Sequence, residues 1–495
     1  MPATATRAAA PAPEQPTKRA PVLSPSDRHV VARLTFGTTP RVVKQVRRRG
    51  VGPWLDRQLS PGRVADPTGD AVDGWWPHLS LGAEQVWKRH LSGEQPGWEL
   101  MRDYASWVLL RRIGSEQQVL EVMTSFWENH LHVAFNSDSW PWRADYGRML
   151  RRHALGSYEE MLVEAIVHPA MLIWLNGDRS TKAAPNENLG RELLELFTLG
   201  VGNYGEDDVK DAARILTGWR VDTFRTWARS YRSEDHHVGR VRVADFSHAN
   251  AEADGRPVVE ALLRHLARHP ATALHLARRI AVKFVRDDPP ESLVRRLADT
   301  YLEHGTQIAP VLRALVGSPE FAAAEGLKLR DPAEDVVATY RALGSWFQPP
   351  ARGLRATEAI VWQTGLLGLQ VGDWPRPDGA PLENAAWATS LRALASVDLH
   401  RTLAHGWWPD EEIGATHRDP VSWVPAYPIR FERLVDHVSR LLLGRRASTA
   451  VVEAACLALG YQPTERIDDP EHELVRWRMG TLLTAVLDTP VHYHR

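Results

Sequence analysis

The residues best equipped for chemistry run from Pro185 to Leu196, which reads Pro-Asn-Glu-Asn-Leu-Gly-Arg-Glu-Leu-Leu-Glu-Leu. At about 100° per residue of helix, Glu187, Asn188, Arg191, Glu192 and Glu195 share one arc, and Leu189, Leu193, Leu196 and Phe197 share the opposite one. Three carboxylates, an amide and a guanidinium therefore form one stripe. Turned to water, the stripe is an i,i+4 Glu–Arg–Glu ladder. Turned to an interior cleft, its charges must pair with others or hold a ligand, because an unpaired buried charge is costly. Such a set could tune a general acid or base, and carboxylates on facing helices can hold a divalent metal that activates water.

Imidazoles are the natural complement. His130 lies in Phe126-Trp127-Glu128-Asn129-His130-Leu131-His132, His153 and His168 close the next two helical runs, and His236 stands in Asp235-His236-His237. These four are the candidate metal ligands or proton carriers. The plainer reading gives His153 and His168 to the helix C-terminal dipole and the others to satisfied core positions. Asp245-Phe246-Ser247-His248 adds a further carboxylate and imidazole near His236. Of the 20 tryptophans, Trp75, Trp76, Trp140, Trp142, Trp227, Trp407 and Trp408 occupy loop-like contexts. There they either line a ligand pocket or pack beneath long loops.

Several sharper motifs fail. Gly200-Val201-Gly202-Asn203-Tyr204-Gly205 spells a dinucleotide fingerprint, but a helix precedes it where a strand is required, so Gly200 reads as a helix C-terminal glycine. His472-Glu473-Leu474-Val475-Arg476 lacks the second histidine of a zinc protease, and neither a P-loop nor a Gly-x-Ser-x-Gly elbow is present.

The chain that must position these groups has 495 residues, 43% hydrophobic and 24% charged, with a net charge of -1. This is globular composition with no bulk field toward nucleic acid or an anionic membrane surface. Arg47-Arg48-Arg49 is a solvated helix end. Only seven of the 60 basic residues are lysine, which favours bidentate buried ion pairs. The single cysteine, Cys456, excludes an internal disulfide and a cysteine-based zinc or iron–sulfur site. No apolar run approaches the ~20 residues of a membrane span, and residues 1–25 lack the apolar stretch of a secretory signal. The expectation is a cytoplasmic protein that binds neither membrane nor nucleic acid.

Helix signals dominate: Ser26 before His29, capping boxes at Ser115 and Ser157, Asp331-Pro332-Ala333-Glu334 closed by Gly344, and Ser318-Pro319. The best strand is 238–246, where Val241 and Val243 alternate with Arg240 and Arg242. The expected fold is mainly α, a large multi-helix globular body with a small β-hairpin insertion. Residues 1–25 form a disordered Ala/Pro-rich tail and 26–346 the main helical domain with the site. Residues 347–495 form a C-terminal helical part, separated by a linker or by a long loop of one body around Phe347-Gln348-Pro349-Pro350.

Read together, these segments resemble a known family, domain of unknown function 1800. The matching pieces include 29–40 (HVVARLTFGTTP), Trp54 to Leu59, Phe126 to His130, Arg152 to Gly156, His168 to Leu172, Pro185 to Leu196 and Leu216 to Trp219. They continue with His269 to Ala273, Ser318 to Phe321, Arg341 to Gly344 and Asp373-Trp374-Pro375-Arg376-Pro377-Asp378-Gly379. The resemblance implies a bacterial helical protein and no assigned reaction. It implies relatives that often carry a secretion signal and are often encoded beside a sulfatase-like family, which makes such a protein a candidate partner besides an unidentified small molecule or protein. This chain departs from the pattern at Phe197, where the resemblance implies a histidine, and at His237, where it implies an aspartate. The functional expectation is an enzyme with a Glu/His/Arg polar site between helices, with metal-assisted hydrolysis placed ahead of oxidation. The alternative is a non-catalytic helical scaffold or partner-binding protein, in which the same charges are an ion-pair lattice.

Overall fold

Serine, threonine and proline at segment starts set the helices of this chain. In the computed structural model, which describes residues 20–350, 356–415 and 419–495, the Ser24 hydroxyl accepts from Asp27 N and opens helix Pro25–Leu34 two residues ahead of the Ser26 start read from the sequence. Proline follows at the first helical position, where its missing N–H costs nothing. Asp331 and Glu334 form the expected capping box of helix Pro332–Ala342, and Ser157 and Ser318 cap their helices. Ser115 stands two residues before the N-cap of its helix, which starts only at Gln118: its hydroxyl donates to the buried Asp66 carboxylate and accepts from Gln117 N at 3.0 Å.

The molecule is mainly helical. Helix Gly97–Gly114 is central and packs against helices Pro67–Asp73, Gln118–His130, Trp140–His153, Pro332–Ala342 and Ala356–Leu366. Helix Pro270–Phe284 packs along Glu291–Glu303, and Tyr158–Ile166 lies on Arg256–Arg268. Helix Pro332–Ala342 touches both Gly97–Gly114 and Ser390–Ala404, so one buried apolar cluster runs from the first helices to Leu487 across the 346/347 position. Part of the segment read as a linker, 351–355, and the first 19 residues of the expected tail lie outside the described residues; Ala20 and Leu23 are buried.

Among the described residues the strands form two-stranded antiparallel ribbons. The stretch 238–246, read as one arm of a hairpin, holds an arm and its turn: Val241–Val243 pairs with Phe246–His248 around Ala244, at φ 51°. Val241 and Val243 are buried against helix Glu206–Ile215, whose Asp208 and Asp211 carboxylates accept from Ala244 N and Arg242 N.

Arginine-rich composition expresses itself in buried networks. Arg111 meets Asp66, Asp73 and Glu121, while Glu128 accepts from Tyr104 Oη at 2.8 Å and from Arg143 at 3.2 Å. Glu121 and Glu128 lie seven residues apart on one face of helix Gln118–His130, so this helix carries a polar seam through the core.

Candidate functional site

Helix Glu187–Glu192 does not continue as an α-helix. Leu193–Phe197 is a π-turn, which inserts one residue per turn and rephases everything after it. The stripe is split accordingly. Glu187 and Asn188 are exposed; Arg191 makes a bidentate pair with Glu206 at 2.8 and 2.7 Å; Glu195 turns to Tyr204, whose hydroxyl donates to it. Burial and Glu195 push the Tyr204 hydroxyl up to about 12. Glu192 alone is half-buried without an ion pair or hydrogen bond among the described residues. Burial raises its carboxyl above the usual range, and the charges of Glu195 and Asp378 add to the rise.

The widened turn also offers its carbonyls sideways. Leu196 O lies 3.1 Å from His275 Nε2, and Phe197 O accepts from Tyr158 Oη. Tyr158 spends its proton there, so His130 Nε2, 3.1 Å from the same oxygen, must be the donor in that contact. His130 is therefore neutral with Nδ1 unprotonated, and that buried Nδ1 has no partner. Burial, with Arg279 and His275 nearby, holds His130 well below its ordinary value, and burial and Arg279 lower His275 to about 4. Gly200, at φ +80°, gives His275 room: a Cβ there would stand 2.8 Å from its Nδ1.

Arg279 stands one helical turn beyond His275 on helix Pro270–Phe284. Its Nε is buried without a partner, no carboxylate of the described residues reaches ion-pair distance, and the side chain as a whole is only partly buried. Burial lowers its affinity for the proton, partly offset by Glu383, Tyr158 and Asp378. Neither His275 nor Arg279 stands out as a motif. The available signal was phase: both fall among Thr272, Leu276, Ile280 and Lys283, the buried side of the helix.

The loop that carries Asp378 is clamped by the end of helix Gln118–His130. Asn129 Nδ2 donates to Ala380 O at 2.9 Å and Ala380 N donates to Asn129 Oδ1 at 2.7 Å, while His132 Nε2 lies 2.8 Å from Trp374 O. Trp374 Nε1 donates to Asp378 Oδ1 at 2.8 Å. Two distant sequence motifs, Trp-Glu-Asn-His and Asp-Trp-Pro-Arg-Pro-Asp-Gly, thus form one mechanical unit. Gly379, at φ +71°, is pressed against Asn129 O, 2.0 Å from where a Cβ would sit.

The other histidines lie elsewhere. His153 Nε2 is 2.8 Å from a Glu164 oxygen. His168 stands just past the end of helix Tyr158–Ile166 and also starts the next, because Pro169 opens a new helix: its Nδ1 accepts from Ala170 N and its Nε2 lies 3.2 Å from Asp145. His269-Pro270-Ala271 repeats the arrangement. Buried His236 spans Thr217 and Asn250. His237 lies beside Arg214 and Asp211, which bear on its ring. Asp235 pairs with Arg220 and Asp245 with His265. The four candidate histidines do not converge. Phe197 packs edge-on to His130 at 6.4 Å, so an imidazole at that position would have joined His130.

Among the described residues, one group brings three metal-type ligands within 4.8 Å: Asp335, His400 and His492, all buried. Its atoms are already engaged. His400 lies 3.1 Å from Asp335 and 2.7 Å from Asp488, Ser396 donates to Asp335 at 2.6 Å, and His492 is 3.0 Å from Thr339 Oγ1. Burial pulls His400 down, but the carboxylates of Asp335 and Asp488 overcome it and hold it up at about 9. Without a metal, the protonated His400 ring between two carboxylates knits the group into an ion network. The loop tryptophans divide: Trp227 is fully buried against Trp87, and Trp142 donates to its carbonyl at 3.0 Å, whereas Trp407 and Trp408 are exposed.

The molecule is a helical protein in which a π-turn, an arginine-bearing helix and a clamped loop meet. The chain belongs to the family described as protein of unknown function (DUF1800), which it matches over residues 29–493. Neither a curated protein nor a solved structure matches it. No helix among the described residues is long and apolar enough to cross a membrane.

Proposed function

We propose that this junction is the active site of an enzyme acting on an anionic substrate by general acid–base chemistry, with ester or phosphoester hydrolysis as the reaction class. One observation carries the reading: the Asp378 carboxylate bears on both Arg279, an arginine without a counter-ion among the described residues, and Glu192, an unpaired, half-buried carboxyl whose proton affinity is raised. Arg279 binds the substrate's anionic group and stabilises charge developing on it. Glu192, whose carboxyl burial raises above the usual range, is the general acid or base. Neutral His275 and His130 frame the wall, and Asp378 on the clamped loop sets the local field.

The test is a hydrolysis screen over carboxylic, phosphomono- and phosphodiesters, run on wild type, Glu192→Gln and Arg279→Gln. General acid–base catalysis is worth about 10²–10⁴-fold. The expected result is a loss of that size in kcat for Glu192→Gln and a raised KM for Arg279→Gln, with unchanged Tm. A hydrolytic activity that both variants retain within threefold overturns the assignment, and no turnover on any class favours the scaffold alternative.

A further inference from the structure

Away from this junction, helix Pro25–Leu34, helix Pro332–Ala342, the end of helix Phe431–Leu443 and the turn Pro490–Tyr493 enclose a cavity of about 360 Å³. Arg28, Arg330, Arg445 and Arg495 line it together with His29. Glu325 is the one side-chain carboxylate among the described lining residues, and Arg28 already pairs with it. Two of the remaining arginines have no ion pair. Arg330 donates its Nε to His492 O at 2.8 Å and makes no ion pair; Arg445 makes none either. Arg495 is held by Glu334, with its Nε unpartnered. Behind the wall, fully buried Arg33 donates to Ala324 O and leaves Nε and Nη1 without partners.

Arginine ordinarily stays charged in proteins. Here burial and neighbouring arginines lower Arg33 and Arg495 to about 9, and burial lowers Arg330 to about 10 against the pull of Asp335 and Asp331. Cations concentrated in this way, with unpaired guanidinium nitrogens, leave a deficit of negative charge that an anion would fill. The volume is at the small end of ligand sites, which run from about 300 to 1,000 Å³. The opposite side is apolar, with Ala338, Ala342, Leu442 and Leu443. Guanidinium forks match phosphate oxygens bidentately.

We propose that this cavity is a binding site for a small organic phosphate carrying two or more negative charges, with Arg330 and Arg445 as its principal contacts. The phosphate end lies against the arginines and the organic end against the apolar wall.

Inorganic pyrophosphate is the probe, read by thermal shift and calorimetry on the full chain at pH 7.5, with sodium chloride matched for ionic strength and citrate as a non-phosphate polyanion. Pyrophosphate is expected to raise Tm saturably where matched chloride does not, and to bind more tightly than citrate. Arg330→Gln and Arg445→Gln should each weaken pyrophosphate at least tenfold. Removing an unpaired buried cation should leave the ligand-free Tm of Arg330→Gln unchanged or higher, which a merely structural arginine would not allow. Arg445 is half-buried, so its variant keeps the test alive if Arg330→Gln misfolds. Equal pyrophosphate shifts in wild type and Arg445→Gln, a shift no larger than that of chloride, or tighter binding of citrate would each overturn the proposal. Glu192→Gln and Arg279→Gln should bind pyrophosphate here as wild type does, which separates this site from the proposed active site.

Discussion

Replacing His400 by glutamine should remove a stabilisation that fades just above neutrality. His400 is fully buried between Asp335 and Asp488 and is raised from 6.5 to about 9. A group raised in the folded state stabilises fully below its unfolded value, near 6.5, and that contribution is lost as pH climbs through the folded value, near 9. At about 1.36 kcal/mol per unit the full contribution is roughly 3 kcal/mol, of which about 1.5 kcal/mol disappears between pH 6.5 and 8. The lowered histidines, among them His130, His275, His437 and His492, act in the same window with the opposite sign: their unfolded forms are still half-protonated at 6.5, so each adds about 0.4 kcal/mol of stability by pH 8. Lys283, lowered to about 8 by burial, adds to that rise near pH 8. The His400 contribution is therefore the difference between wild type and variant. Urea unfolding at half-unit steps from pH 6.5 to 8 should show the wild-type midpoint falling relative to that of His400→Gln, by the equivalent of about 1.5 kcal/mol. Parallel slopes in the two proteins would show that His400 is neutral in the folded chain and that the Asp335 network carries no imidazolium.

Gly379→Ala should free the Asp378 loop. The left-handed backbone costs an alanine about 1 kcal/mol, and the Cβ would displace Asn129 O, breaking two hydrogen bonds worth about 0.5–1.5 kcal/mol each. Hydrogen exchange across 372–382 should rise at least tenfold, and an unchanged rate would show that the clamp is not what orders the loop. His168→Ala removes a helix cap worth about 1 kcal/mol, so Tm should fall by a few degrees to the same extent with and without a chelator. A fall that appears only in untreated protein would make His168 a metal ligand.

How much of this was legible in the sequence depended on the range of the forces involved. Caps and apolar periodicity act within a few residues, so the helical class and the helix starting at Asp331 were readable from pattern. The role of Ser115 was not, because its partner Asp66 is 49 residues away. That His168 also starts a helix was missed for a local reason: the proline after it decides the phase, and a histidine Nδ1 can cap as a serine does. The acidic stripe was drawn on a uniform 3.6-residue helix. The π-turn at Leu193–Phe197 breaks that assumption, separates Glu192 from Glu195, and turns the carbonyls of Leu196 and Phe197 toward His275 and Tyr158.

The end of this helix accounts for the chemistry beside it. Leu196 and Phe197 lie in its last turn, where carbonyls have no partner within the helix. Both side chains, His275 and Tyr158, are fixed by those backbone oxygens, His275 stays neutral, and no carboxylate is needed beside it. Arg279, one turn further on, is left as the uncompensated charge. Helix Pro270–Phe284 tolerates it because part of the side chain still reaches solvent, while Asp378 and Glu383 pull from a distance without closing a pair. Drawing either carboxylate into contact with Arg279 would stabilise the resting protein and occupy the position an anionic substrate would take. Clamping the Asp378 loop through Asn129 and Trp374 prevents that collapse, which gives the two most widely separated motifs of the chain a common purpose.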